Sequence, residues 1–127
     1  MPHRRALLFS IFLAALAALP ARALELVMVE QPGCHYCIEW KDTIGPIYPK
    51  TAEGNFAPLR MVQIKEMDET DIALTGGRVV FTPTFLLVEN GKEIDRLEGY
   101  PGEDFFWPLL ERMLTRNTDF TSPEVTN

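Results

Sequence analysis

The chain has 127 residues, with 12 lysines and arginines against 18 aspartates and glutamates, and a formal net charge of −6. An acidic surface repels nucleic acid and anionic lipid, and no basic patch offsets it, so protein or small-molecule partners are expected and nucleic acid is not. Two cysteines cannot build a scaffold of several bridges, and this length suits one domain around one core.

In chain order, Met1 to Arg5 carries Arg4 and Arg5, Ala6 to Leu19 is apolar except for Ser10, and Ala21-Arg22-Ala23 has the small-x-small pattern of a cleavage site. This is the three-part layout of a secretory signal peptide, expected over 1–23. The apolar run is short for a membrane span, which needs about 20 residues; an uncleaved anchor is the alternative. Loss of Arg4, Arg5 and Arg22 leaves nine basic residues against 18 acidic ones. The exported chain would then carry a formal charge of about −9.

Leu24 to Val29 is an apolar run of strand length. Cys34 to Ile44 reads as a helix offering Ile38, Trp40 and Ile44 to a core, with Ile47 just beyond; Gly45-Pro46 interrupts it. Lys50 to Pro58 is a loop or a short helix. Leu59 to Lys65 alternates and predicts a second strand. Asp68 to Leu74 reads as a short helix with an acidic start, ended by Gly76-Gly77. Thr84 to Glu89 and Lys92 to Glu98 predict two strands joined at Asn90-Gly91, a strong hairpin turn. Glu103 to Arg116 predicts a closing helix, although Pro108 could delay its start. Residues 117–127 read as a flexible tail. Helical crossovers joining the first three strands, with a final hairpin, give an α/β fold. Its mixed four-stranded sheet carries helices on both faces, over 24–116.

Both cysteines of the chain lie in Gln31-Pro32-Gly33-Cys34-His35-Tyr36-Cys37, between the first strand and the first helix. A C-x-x-C pair there is a thiol-redox pattern. Export favours disulfides, yet a bridge closing so small a loop stabilises little, so a purely structural role is poorly motivated. Thiol–disulfide exchange needs an accessible thiolate, and a helix N-terminus favours negative charge. Cys34 is therefore the expected attacking thiol and Cys37 the resolving one. His35, as an imidazolium, could stabilise the Cys34 thiolate, or could simply face water. Tyr36 could shape a docking surface or only pack the helix start. The aromatic residues Trp40, Phe81, Phe85, Phe105, Phe106 and Trp107 read as packing rather than a cofactor box.

Over Leu24 to Arg116 the chain resembles the thioredoxin-fold family. The matching features are Cys34-His35-Tyr36-Cys37 after the first strand, Thr82-Pro83 before the third, and the Asn90-Gly91 hairpin. The Pro-Gly-Cys-x-Tyr-Cys run, Gly45 to Lys50, Ala57 to Arg60 and Phe81 to Phe85 look like the SoxS group, the periplasmic thioredoxins of bacterial sulfur-oxidation systems. The resemblance implies a periplasmic disulfide reductase that keeps a thiol-bearing sulfur carrier, SoxYZ, active and draws electrons from an upstream membrane thiol reductase. It implies no cofactor beyond the Cys34–Cys37 disulfide. It also implies a cis bond before Pro83, with Thr82 offering its backbone to a docked peptide and its hydroxyl to Cys34.

Two departures from ordinary thioredoxins stand out. The tryptophan usual before the first cysteine is Gly33, and the acid usual six residues before that cysteine is Met28. Glu30, on the same strand face as Met28, is then either a substitute proton acceptor for Cys37 or a solvated strand end. A competing function is a soft-metal module in which Cys34, Cys37 and His35 hold Cu(I).

Overall fold

The structure, a computed structural model, describes residues 23–123. The expected signal peptide lies outside the described residues but for Ala23. The sheet is four-stranded in the order β2-β1-β3-β4, with β1 at Leu24–Glu30, β2 at Leu59–Gln63, β3 at Thr84–Glu89 and β4 at Lys92–Glu98. β1 runs parallel to β2 and antiparallel to β3, and β3 and β4 form the hairpin. Asn90 and Gly91 both take positive φ, as a two-residue turn that follows the twist of its strands requires.

Alternation along the central strands sorts the core into two layers. Leu26, Met28, Phe85 and Leu87 face a large cluster with Cys37, Trp40, Phe106 and Leu110. That face carries three helices: α1 (His35–Thr43), α2 (Ala52–Phe56) and α3 (Glu103–Asn117). Trp40 meets Phe85 at 5.2 Å and Phe106 at 5.7 Å between ring centroids. Val27, Val29, Leu86 and Val88 face the other way, onto Val62, Met67 and Val79. There the cover is a 3-10 helix at Ile64–Glu69 and the segment that follows it.

α1 and the turn that follows it bury Cys37, Trp40 and Ile44 but leave Ile38 and Ile47 exposed, contrary to expectation. Its apolar stripe follows the three-four spacing of one narrow face, and Ile38 lies off it. The helix expected over Asp68 to Leu74 does not form. The 3-10 helix ends where Thr70 turns back on the Met67 carbonyl through both its amide and its hydroxyl. Ala73 then pairs with the outer edge of β4, its amide donating to the Gly91 carbonyl and its carbonyl accepting from the Glu93 amide. This pairing covers an otherwise open strand edge and gives partners to backbone groups on both segments. β2 thus reaches β3 without a second parallel crossover, and β3 returns antiparallel to β1.

Glu93, on β4, anchors this segment from within. Its buried carboxylate accepts from the amides of Thr75 (2.9 Å) and Gly76 (3.2 Å) and from two nitrogens of Arg96, whose Nη2 also reaches the Gly77 carbonyl. Burial alone would raise the pKa of this carboxyl; the bonds from Arg96, Gly76 and Thr75 together outweigh it and hold it below the ordinary value.

Tyr48 is fully buried under α2, donates its hydroxyl to the Ala57 carbonyl at 2.7 Å and stacks on Trp107. Desolvation, aided by Glu53, raises its pKa. Gly54 of α2 passes so close to Tyr48 that an added Cβ would lie 1.8 Å from the Tyr48 carbonyl oxygen. α3 starts at Glu103 despite Pro108, which is exposed on its outer side, where the Asp104 carbonyl it strands can meet water. The expected tail is ordered at its start: Asn117 closes α3, and Phe120 is buried with its ring edge-on to Phe56.

Candidate active site

β1 ends at Glu30, and Gln31 to Gly33 turn the chain into α1. Gly33 has φ +77°, a conformation that side chains with a Cβ rarely adopt, which gives a local reason for glycine where thioredoxins carry tryptophan. Cys34 is the N-cap of α1. Its Sγ accepts the Cys37 amide at 3.2 Å, so the sulfur occupies the place where a helix start favours negative charge. Cys34 and Cys37 are joined in a disulfide with their Cα atoms 5.2 Å apart. Cys34 is partly exposed, whereas Cys37 is only 1% exposed. The pair is therefore asymmetric, with one sulfur reachable by a macromolecule and the other shielded.

The β1–β3 register ends at Val29 opposite Thr84, which places Pro83 beside the end of β1 from which the cysteine turn departs. The Thr82–Pro83 bond is cis, and the Pro83 carbonyl accepts the Gly99 amide at 2.7 Å. The Thr82 hydroxyl accepts from Gln31 Nε2 at 2.8 Å instead of bonding Cys34, tying the cysteine turn to the proline loop. Gln31 is a functional neighbour that the sequence alone does not reveal. No local pattern marks a polar turn residue whose partner lies 51 positions away.

Glu30 is not a solvated strand end. It is only 8% exposed, forms an ion pair with Lys41 Nζ at 2.7 Å and accepts from Gln63 Nε2 at 3.3 Å. Lys41 follows Cys37 by one helical turn and so shares its side of α1. Glu30 is thereby tied to the side of α1 that carries Cys37.

His35 is placed differently. Its side chain is 83% exposed, stands 3.8 Å from Glu39 and meets the Tyr36 ring edge-on. Tyr36 is 56% exposed and lines an apolar cleft. Among the described residues no group of three or more His, Cys, Asp or Glu side chains converges as a metal site would require.

A family model for the thioredoxin-like domain matches residues 15–114. The chain belongs to the thioredoxin-like family. It also resembles SoxS: the crystal structure of the periplasmic thioredoxin SoxS from Paracoccus pantotrophus, in reduced form, is 50% identical, with a TM-score of 0.67 over 71% of this chain and 94% of that one. A thioredoxin from Malassezia sympodialis is 20% identical, with a TM-score of 0.48 over 75% of this chain and 77% of that one. Comparison with curated proteins gave no match. A C-x-x-C pair at the first strand–helix turn of this fold is the site of a thiol–disulfide oxidoreductase.

Proposed function

We propose that this chain is an exported, periplasmic reductase of protein disulfides, and that its partner is a sulfur carrier of the SoxYZ kind. The observation that carries the reading is the asymmetric pair, with Cys34 at the N-cap and Cys37 buried behind it. The likeness to a periplasmic thioredoxin at 50% identity supports the compartment and the class of partner.

In the reduced protein the Cys34 thiolate attacks one sulfur of the partner's disulfide. A mixed disulfide forms and one partner thiolate leaves. Cys37 then gives up its proton, attacks Cys34 Sγ and expels the second partner thiolate. Two electrons have passed to the partner, and the chain is left as the Cys34–Cys37 disulfide. A membrane thiol reductase restores the dithiol; no other cofactor is required.

Glu30 is the proposed acceptor of the Cys37 proton, with Lys41 and Gln63 fixing its carboxylate. Thr82 and Pro83 present backbone to an extended partner segment, Tyr36 shapes the surface beside it, and an imidazolium at His35 would favour the thiolate. A Glu30→Gln variant is expected to form the mixed disulfide normally but to resolve it slower by on the order of 10²-fold at neutral pH. Stopped-flow quenching of the intermediate measures this; unchanged resolution would remove Glu30 from the mechanism.

The partner is identified by trapping. The mature Cys37→Ser protein, added to a periplasmic extract, should hold a discrete adduct that reductant releases, and that adduct should be a sulfur-carrier subunit. Many adducts would indicate a general disulfide enzyme. No adduct, together with tight Cu(I) uptake by the unmodified protein, would favour metal delivery.

A further inference from the structure

The cleft behind Tyr36 has a volume of about 480 Å³, and its walls include Leu97, Tyr100, Pro101, Phe106 and Leu109. Its only charged lining residue is Glu98. Tyr36, which lines the cleft, stands between the two cysteines in the chain. In the β3–β4 register Glu98 faces Thr84, next to the cis bond at Thr82–Pro83. A segment docked along the proline loop therefore runs past both the cleft and this carboxylate.

The surroundings are acidic. Glu103 and Asp104 are exposed in the first turn of α3, between the cleft residues Pro101 and Phe106. Glu39 and Asp42 are exposed on α1 beyond His35. Of the cations nearby, Lys41 holds Glu30 at 2.7 Å, Arg96 grips Glu93 and stands 3.8 Å from Glu98, and Arg112 is exposed one turn beyond Leu109, so the acids of the rim outnumber the cations without being matched by them.

We propose that this cleft selects a basic segment of the protein partner. A large apolar side chain enters between Tyr36, Tyr100 and Leu109, and flanking lysines or arginines meet Glu98, Glu103 and Asp104. The apolar walls supply burial, and the acidic rim supplies steering and discrimination against acidic segments. The inference rests on the thiol-exchange reading and adds to it the chemistry of the substrate.

The test compares the reduced mature protein on two disulfide-bonded peptides that share one leucine beside the disulfide, flanked by lysines in one and by glutamates in the other. The neutral disulfide 4,4′-dithiodipyridine serves as the probe of exchange itself. At low ionic strength the second-order rate constant for oxidation of the reduced protein should favour the lysine peptide by about tenfold. The preference should shrink in high salt. In the Glu98→Gln, Glu103→Gln, Asp104→Asn triple variant the ratio should fall close to one. Equal rates on the two peptides at low salt, or a ratio unchanged in the triple variant, would overturn the inference while reduction of dithiodipyridine leaves the exchange chemistry standing. Failure to reduce dithiodipyridine would overturn the exchange reading and this inference with it.

Discussion

A Cys34→Ser variant should lose disulfide reductase activity by about 10³-fold or more, a cost of roughly 4 kcal/mol in the transition state. Serine preserves the cap, because its hydroxyl can accept the Cys37 amide as the sulfur does, so α1 should form unchanged. What disappears is the accessible sulfur of the pair. Cys37 is buried beneath the first turn and cannot be approached by a partner without opening the helix. The Cys37→Ser variant should differ in kind: it retains the first attack and stalls at the mixed disulfide. Pre-steady-state thiol release by both variants separates these cases, and equal first-step rates would contradict the assigned order.

Glu93→Ala should destabilise the fold by about 3–5 kcal/mol. It leaves the Arg96 guanidinium, whose side chain is 12% exposed, without its partner and strands the amides of Thr75 and Gly76. For a domain of this size Tm should fall by about 15 °C or more. Glu93→Gln keeps the shape but not the charge and should lie between the two. The pair also gives stability a pH dependence. The folded chain holds the Glu93 carboxyl below its ordinary pKa, so its contribution is complete above the unfolded value and is lost as pH falls through the folded one. Urea unfolding of the wild type and of Glu93→Gln across the acid range measures this; parallel pH profiles would show that Glu93 is not the group responsible.

Wherever local sequence controls the outcome, the structure follows it. β3 and β4 occupy the expected residues because an apolar run and an Asn-Gly turn fix strand and reversal within fifteen positions, whereas the register shift between Leu87 and Val88 has no local sign. The cysteine turn is legible for the same reason, since a strand end, Pro32-Gly33 and the helix start are neighbours. The failures lie where a distant partner decides. The stretch after Thr70 is extended because β4 and Glu93 take its backbone groups, and nothing local reports that edge. Glu30 is buried because Lys41, on another element, neutralises it, and period-two alternation placed its face but not its partner. Phe120 is buried because Phe56 lies within reach of a segment that reads as a polar tail.

The most direct test of the account is to react the reduced mature Cys37→Ser protein with one disulfide-bonded peptide and map the product by mass spectrometry. A single one-to-one adduct should form on Cys34 and stay until reductant is added, whereas the wild type resolves it to the Cys34–Cys37 disulfide and two free peptide thiols. Absence of an adduct, or an adduct formed on Cys37 in the Cys34→Ser protein at a comparable rate, would contradict it.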